Sequence, residues 1–180
     1  MRKTIRKWFW AWDFEKEEKW LNELAAKGLC LVSVGYCKYE FEQCLPGEYG
    51  IKLEFLEKTV NHPESVQYIS FLEDTGAEHV GSYMRWVYLR KKRADGEFEL
   101  YSDTESKIKH LNRILSFIMI LGALNLYLGI YNTFLFISYQ SPLNLVGILS
   151  YTVAAVAAFG SVKLFNKRKK LKNECSIFEQ

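Results

Sequence analysis

Cysteine and histidine are the residues of this chain best suited to bind metals or react, and their spacing favours neither role. The cysteines form no C-x-x-C pair, and the histidines are scattered: Cys30, Cys37, Cys44 and Cys175, with His62, His79 and His110. A protein metal site needs such ligands at short, characteristic spacings. We therefore expect no metal and no cofactor, and in a reducing cytoplasm we expect free thiols that pack as small hydrophobic side chains.

Neither catalysis nor nucleic-acid binding is predicted. The chain has no G-x-S-x-G, P-loop, H-E-x-x-H or dinucleotide-binding motif, and its many glutamates single out no catalytic pair. Residues 1–106 carry 15 Lys and Arg against 19 Asp and Glu. Because phosphate contacts require a basic face, we expect neither an enzyme nor a nucleic-acid partner.

The most distinctive side chains are three alternating tryptophans, Trp8, Trp10 and Trp12. On a predicted strand over Ile5–Trp12 they would share one face, with Phe9 on the other. Three interpretations remain open. The rings could form core beneath the helices, a surface for a protein partner or a second copy, or a pocket for an apolar or cationic compound.

Hydrophobic periodicity predicts an α+β domain over residues 1–106. The expected helices are Phe14–Lys27, after Asp13, and one that Asn61 and Pro63 begin and that ends near Gly76. The expected strands are Ile5–Trp12, Leu29–Gln43, Tyr49–Phe55, His79–Lys91 and Glu97–Tyr101. The first six elements have the βαββαβ order of a ferredoxin-like sandwich, to which the last strand adds an edge.

No charged residue occurs between Arg113 and Lys163. Because a spanning helix needs roughly 20 apolar residues, this stretch predicts two transmembrane helices, 114–138 and 143–162, joined by an extracytoplasmic turn at 139–142. A helix that begins near Ser102 should continue through the basic segment 107–113 into the first span. A basic cytoplasmic tail, 163–180, should follow the second.

Positive charge flanks this hairpin on both sides, whereas the connecting turn has none. The predicted membrane-surface anchors are Lys107, Lys109, Arg113, Lys163, Lys167, Arg168, Lys169, Lys170 and Lys172. By the positive-inside rule, they predict a two-pass protein of the cell membrane with both termini in the cytoplasm. The same residues could attract anionic lipid headgroups.

Small and weakly polar residues recur along each predicted span at steps of three and four. They are Gly122, Asn125, Gly129 and Asn132 in the first, and Gly147, Ser150, Ala154, Ala158 and Ser161 in the second. Such stripes let helices approach closely in a bilayer. We expect the two spans to pack against each other, with contact to another subunit as the alternative.

Several stretches of this sequence together resemble one known family. They are Trp8–Leu21, Ala25–Gly28, Pro46–Tyr49, Gly81–Tyr83 with Trp86, and Tyr101–Ile108. Over about residues 5–110 the chain is similar to a bacterial family of membrane proteins classed as a domain of unknown function, often encoded beside PadR-type transcriptional regulators. The resemblance implies a membrane location and a regulatory or envelope-stress setting, and it supplies no catalytic residues.

These observations favour a membrane-anchored cytoplasmic interaction or regulatory module that acts through an aromatic sheet face. Its partners would be the lipid bilayer and a protein partner or a second copy of the chain. The alternatives are a sensor of small molecules or envelope stress, and an oligomeric accessory protein for transport.

Overall fold

The structure is a computed structural model that describes residues 2–140, 144 and 146–178, and side chains as far as residue 174. The chain has a mixed α+β fold and divides into two compact units, Met1–Asp103 (unit 1) and Thr104–Gln180 (unit 2).

Unit 1 contains short strands and two helices within residues 2–103. Their order is β1 (Lys3–Arg6), α1 (Phe14–Ala26), β2 (Leu29–Gly35), β3 (Lys38–Gln43), β4 (Tyr49–Phe55), α2 (Pro63–Asp74), β5 (Glu78–Tyr83) and β6 (Trp86–Lys92). The strands form two three-stranded sheets with the orders β1-β3-β2 and β4-β6-β5, and all neighbours are antiparallel.

The two halves of unit 1 are successive βαββ segments with the same topology. Equivalent landmarks recur at one constant spacing along the chain: Gly28 and Gly76 after the helices, Gly35 and Tyr83 at strand ends, and register shifts at Leu31/Ser33 and His79/Gly81. The halves meet where β2 lies beside β5, because a Cβ atom on Gly81 would be 3.3 Å from the Val34 amide nitrogen. Unit 1 thus consists of two copies of one βαββ repeat.

Several predicted strands were wrong in extent. The first ends at Arg6 instead of Trp12, and the two long ones, Leu29–Gln43 and His79–Lys91, are each a hairpin. No strand forms over Glu97–Tyr101. Instead, the partly buried side chains of Phe98 and Leu100 pack against a hydrophobic cluster that includes Leu72, Val87 and Leu89. Because the strand count and the sheet orders differ from βαββαβ, the ferredoxin-like arrangement is not confirmed.

The predicted helices of unit 1 are confirmed, with small differences at their ends. α1 buries Phe14, Glu17, Leu21 and Ala25, whose spacing of three and four residues places them on one helix face. Asp13 makes no side-chain capping bond. His62 instead of Asn61 is the N-cap of α2, and its Nδ1 accepts a bond from the Glu64 amide at 3.3 Å.

Polar side chains of α1 cover the outer edge of β4. The Asn22 side chain makes two bonds to Ile51: its Nδ2 donates to the Ile51 carbonyl at 2.8 Å, and its Oδ1 accepts from the Ile51 N–H at 2.9 Å. Glu18 accepts from the Leu53 N–H at 3.2 Å and pairs with Lys52 at 2.9 Å. These bonds occupy backbone groups that an exposed edge strand would offer to another chain.

Cys30 and Cys44 form a disulfide bond, with their Cα atoms 5.9 Å apart. The expectation of free thiols is therefore wrong for this pair, although Cys37 is free. The cause is the β2–β3 hairpin. In it Cys30 lies opposite Glu42, and Cys44, two residues further along, is therefore close to Cys30. The side chain of Cys175 lies outside the described residues.

Unit 2 is an antiparallel pair of long helices, α3 (Thr104–Tyr139) and α4 (Gly147–Phe178). The predicted continuation through the basic segment into the first span is confirmed. The start of the second predicted span, at Leu143, and much of the turn at 139–142 lie outside the described residues. α4 also extends through most of the predicted tail.

Both helices are long and apolar enough to cross a membrane. Only 28% and 17% of their most apolar windows are buried, whereas a core helix of a water-soluble protein would be mostly covered. Ile120, Leu124, Phe134 and Phe159 are each more than half exposed. Because water disfavours such apolar surfaces, these features favour a membrane location for unit 2.

Candidate functional site

The three tryptophans follow β1 and do not lie on a strand. The Lys7 amide donates to the Cys37 carbonyl at 3.2 Å, and beyond this bond the partner strand β3 has turned away. The chain then runs irregularly to a turn of 3-10 helix at Ala11–Asp13. A strand continues only while its neighbour supplies hydrogen bonds, which explains why the predicted strand ends early.

Five rings from three separate segments form a continuous array on unit 1, here called the aromatic surface: Trp8, Trp10, Trp12, Tyr36 and Tyr83. Trp8 meets Trp10 edge to face at 5.5 Å between centroids, and Trp10 stacks on Trp12 at 4.9 Å. Tyr36 meets Trp8 at 6.0 Å and Tyr83 at 5.7 Å. Such contacts favour particular ring orientations, so the array is pre-organised.

The aromatic surface is open to its surroundings. Trp8 is 50% exposed, Trp10 44% and Tyr36 65%, so the interpretation of Trp8 and Trp10 as core beneath the helices is wrong. The neighbouring Phe9 is instead half-buried, with its ring 5.5 Å from that of Trp20 on α1. Trp8 and Trp10 therefore form part of a surface.

Two hairpin tips border this surface, and each holds a non-glycine residue in the left-handed region. Cys37 has φ 50° in the β2–β3 turn, and Met84 has φ 55° in the β5–β6 turn. This conformation costs about 1–2 kcal/mol for a residue with a side chain. The turns present Tyr36 and Met84 to the outside, and Met84 is 63% exposed.

The chain segments that carry the aromatic surface have an excess of positive charge. The segments 6–13, 35–40 and 83–86 contain four basic residues, Arg6, Lys7, Lys38 and Arg85, against two acidic ones, Asp13 and Glu40. The Lys7 ammonium lies over the rings of Phe9 and Trp20, at 4.9 and 4.6 Å. Lys38 pairs with Glu40 at 2.5 Å. This local excess of positive charge contrasts with the acidic balance of residues 1–106.

Beneath the surface, Glu17 joins the two sheets. Its Oε1 accepts from the Tyr39 hydroxyl on β3 at 2.7 Å and from the Tyr88 hydroxyl on β6 at 2.6 Å. Burial raises the pKa of Glu17. Burial, and then the nearby carboxylate, raise the pKa of both phenols, which stay protonated and donate. Because the carboxyl is covered, we assign it a structural role.

No metal centre is evident in the part of the chain that the structure describes. Across residues 2–140, 144 and 146–178, no three His, Cys, Asp or Glu side chains are grouped so as to hold a metal ion.

Several predicted span residues lie between α3 and α4. A Cβ atom on Gly122 would be 3.0 Å from the Ala157 Cβ, one on Gly129 would be 2.9 Å from the Tyr151 ring, and one on Gly147 would be 3.0 Å from the Asn132 Cβ. The helices therefore run antiparallel in close contact.

The other members of the predicted stripes differ in their surroundings. Asn125 donates to the Leu121 carbonyl of its own helix at 2.9 Å. Ala158 is exposed, and the neighbouring Ala157 packs against Gly122, so Ala158 is available only for the alternative contact with another subunit. Ser150, Ala154 and Ser161 are partly buried.

The predicted anchors lie on the outer turns of the same helices. Lys109 pairs with Glu105 at 2.8 Å on α3, and Lys170 lies 3.9 Å from Glu174 on α4. Arg168 donates to the Asn112 side chain at 3.0 Å and so joins the two helices. The remaining anchors lie on these turns too: Lys107, Arg113, Lys163, Lys167, Lys169 and Lys172.

Sequence reasoning found the tryptophans but missed their neighbours. Tyr36, Tyr83 and Met84 join them only through the two hairpin turns, which the sequence marks with no Asn-Gly or Asp-Gly pair. The Glu17 bridge was also missed, since its partners come from different sheets.

Comparison with known proteins identifies the family. No curated protein and no solved structure matches this chain. A sequence model described as "Protein of unknown function (DUF2812)" matches residues 13–123. The match covers unit 1 from Asp13 onward and α3 as far as Ala123, and it begins just after the three tryptophans. Since it extends over more than half of the sequence, the chain belongs to this family of proteins of unknown function.

Proposed function

We propose that this chain is a membrane-anchored interaction module with a regulatory role and no catalytic reaction of its own. Unit 2 crosses the cell membrane as a two-helix hairpin, with both termini in the cytoplasm. Unit 1 uses the aromatic surface to dock onto another surface. The single observation that carries the proposal is the packed array in which Trp8 and Trp10 remain about half exposed.

Ordered aromatic rings at a protein surface support docking rather than folding. Tryptophan and tyrosine contribute large contact areas with few rotatable bonds, and they dominate binding energies at interfaces. Rings that already contact one another lose little conformational freedom on binding. A water-exposed array of this kind is unfavourable unless something covers it.

Site-directed photo-crosslinking tests the proposal in the full chain within cell membranes. A benzophenone side chain replaces Tyr36, at the centre of the aromatic surface. The matched control replaces Phe71, which is 60% exposed on α2. We expect adducts with protein or with lipid from the first position and few from the second. Trp8→Ser with Trp10→Ser should lower the adduct yield about tenfold, because hot-spot rings are removed.

The double variant must also remain folded, which circular dichroism of the purified chain checks. Equal adduct yields at both positions, or no adduct at Tyr36, would contradict the proposal. Unfolding of the double variant would show that the rings support the fold, and the surface interpretation would then fail.

A further inference from the structure

We infer that the surface onto which unit 1 docks is the membrane itself, at a headgroup region rich in anionic lipid. This inference rests on the proposed function, because it names the partner of the same aromatic surface. Trp8, Trp10 and Tyr36 would lie among the headgroups, with Met84 beside them.

The ring chemistry matches a bilayer interface. Tryptophan and tyrosine combine an apolar body with one polar group, and they are enriched where hydrocarbon meets headgroups. The exposed fractions of Trp8, Trp10 and Tyr36 lie between 44% and 65%, so each ring has one face packed and another available. Such a surface suits partial insertion.

The charge pattern selects an anionic partner. The segments 6–13, 35–40 and 83–86, which carry the rings, contain four basic residues, Arg6, Lys7, Lys38 and Arg85, against two acidic ones, Asp13 and Glu40. Over residues 1–106 acidic residues are in excess, so the basic character is local. Basic side chains near a membrane are attracted by anionic lipids within about one Debye length of roughly 8 Å.

The covalent connection to unit 2 brings a membrane within reach of unit 1. The boundary between the units lies at Thr104, and the uncharged stretch begins at Ile114. Ten residues of helix span about 15 Å, so only a short segment of chain separates unit 1 from the stretch that would cross the bilayer. A lipid surface is therefore always available at high local concentration.

Tryptophan fluorescence offers a selective test, because all five tryptophans lie in unit 1, at Trp8, Trp10, Trp12, Trp20 and Trp86. The full chain is reconstituted in vesicles whose phosphatidylcholine has brominated acyl chains, with or without phosphatidylglycerol. Bromine quenches tryptophans that touch the bilayer. We expect quenching in vesicles with phosphatidylglycerol and at least twofold less without it.

Paired variants identify the rings responsible. Trp8→Phe with Trp10→Phe should remove more than half of the quenching. The control Trp86→Phe, whose ring packs against Phe14 and Phe55, should leave the quenched intensity unchanged. Quenching that is absent, or unaffected by the double variant, would overturn the inference.

The crosslinking test separates this inference from the proposed function. Protein adducts at Tyr36 without bromine quenching would mean that a protein partner or a second copy covers the rings; the lipid inference would then fail and the interaction module would stand. Absence of both signals would overturn both.

Discussion

Glu17 links three elements of unit 1 through one carboxylate oxygen. Its two phenol partners come from different sheets, and the rings of Tyr39 and Tyr88 also meet at 6.4 Å. A buried carboxylate is tolerated only where such donors satisfy it. Even so, burial raises its pKa, so the folded unit binds the proton more tightly than the unfolded chain does.

Glutamine in place of Glu17 should therefore alter how stability depends on pH. The contribution of Glu17 to the free energy of unfolding should fall as pH rises above about 4.5, because the folded state holds the proton longer than the unfolded chain does. Glu17→Gln keeps an oxygen that can accept both phenol bonds and has no proton to lose, so this slope should flatten. Urea unfolding at about pH 5 and pH 7, followed by tryptophan emission, measures it.

The matched control is Glu23→Gln, an exposed residue of the same helix. It should keep the native pH dependence. An unchanged slope in Glu17→Gln would mean that burial of this carboxyl does not govern the acid side of the stability profile.

At the scale of elements, the helices were predictable and the hairpins were not. α1 and α2 show apolar residues at helical spacing and end before glycines, Gly28 and Gly76. The β2–β3 and β5–β6 turns contain Tyr36-Cys37 and Met84-Arg85, which carry no glycine, asparagine or proline. Without a turn signal, each hairpin looked like one long apolar strand.

This error also concealed the disulfide. On one continuous strand, Cys30 and Cys44 would lie about 45 Å apart, and the hairpin instead brings their Cα atoms to 5.9 Å. The bond fastens the start of β2 to the residue that follows β3. Gly28 supports the same junction, because its carbonyl accepts from the Cys44 amide at 3.0 Å.

Removing this bond should weaken unit 1. The cysteines are separated by 14 residues, and closing a loop of that length stabilises a fold by about 3 kcal/mol in the chain-entropy account. Cys30→Ser with Cys44→Ser should lower the free energy of unfolding by about that amount. Urea unfolding of the full chain in detergent, monitored by tryptophan emission, reports on unit 1 alone.

Two comparisons check the cause. Reduction of the native chain should reproduce the loss, whereas Cys37→Ser should leave stability nearly unchanged, since Cys37 is free. A double variant as stable as the native chain would show that the hairpin is held by its hydrogen bonds and core contacts alone.

For the whole molecule, the sequence was most informative where charge is missing. The uncharged run from Ile114 to Val162 predicted the paired helices of unit 2, because the bilayer imposes length and composition on whatever crosses it. Unit 1 gave no comparable signal. Its two sheets depend on pairing between residues far apart in the chain, such as Lys3 with Phe41, and periodicity within one segment does not encode such partners.

The flanking charges and the disulfide together lead to a prediction about the redox state of Cys30 and Cys44. The basic flanks of both predicted spans, including Arg113 and Lys163, predict that unit 1 lies in the cytoplasm, where thiols are kept reduced. The bonded pair in the structure is then the oxidised form of Cys30 and Cys44, and we expect growing cells to hold both as thiols until an oxidant joins them. Alkylation with N-ethylmaleimide, then mass analysis, should find all four cysteines modified, and a diamide pulse should protect Cys30 and Cys44. Protection of this pair in untreated cells would instead place unit 1 on the oxidising side of the membrane and reverse the orientation that the flanking charges predict.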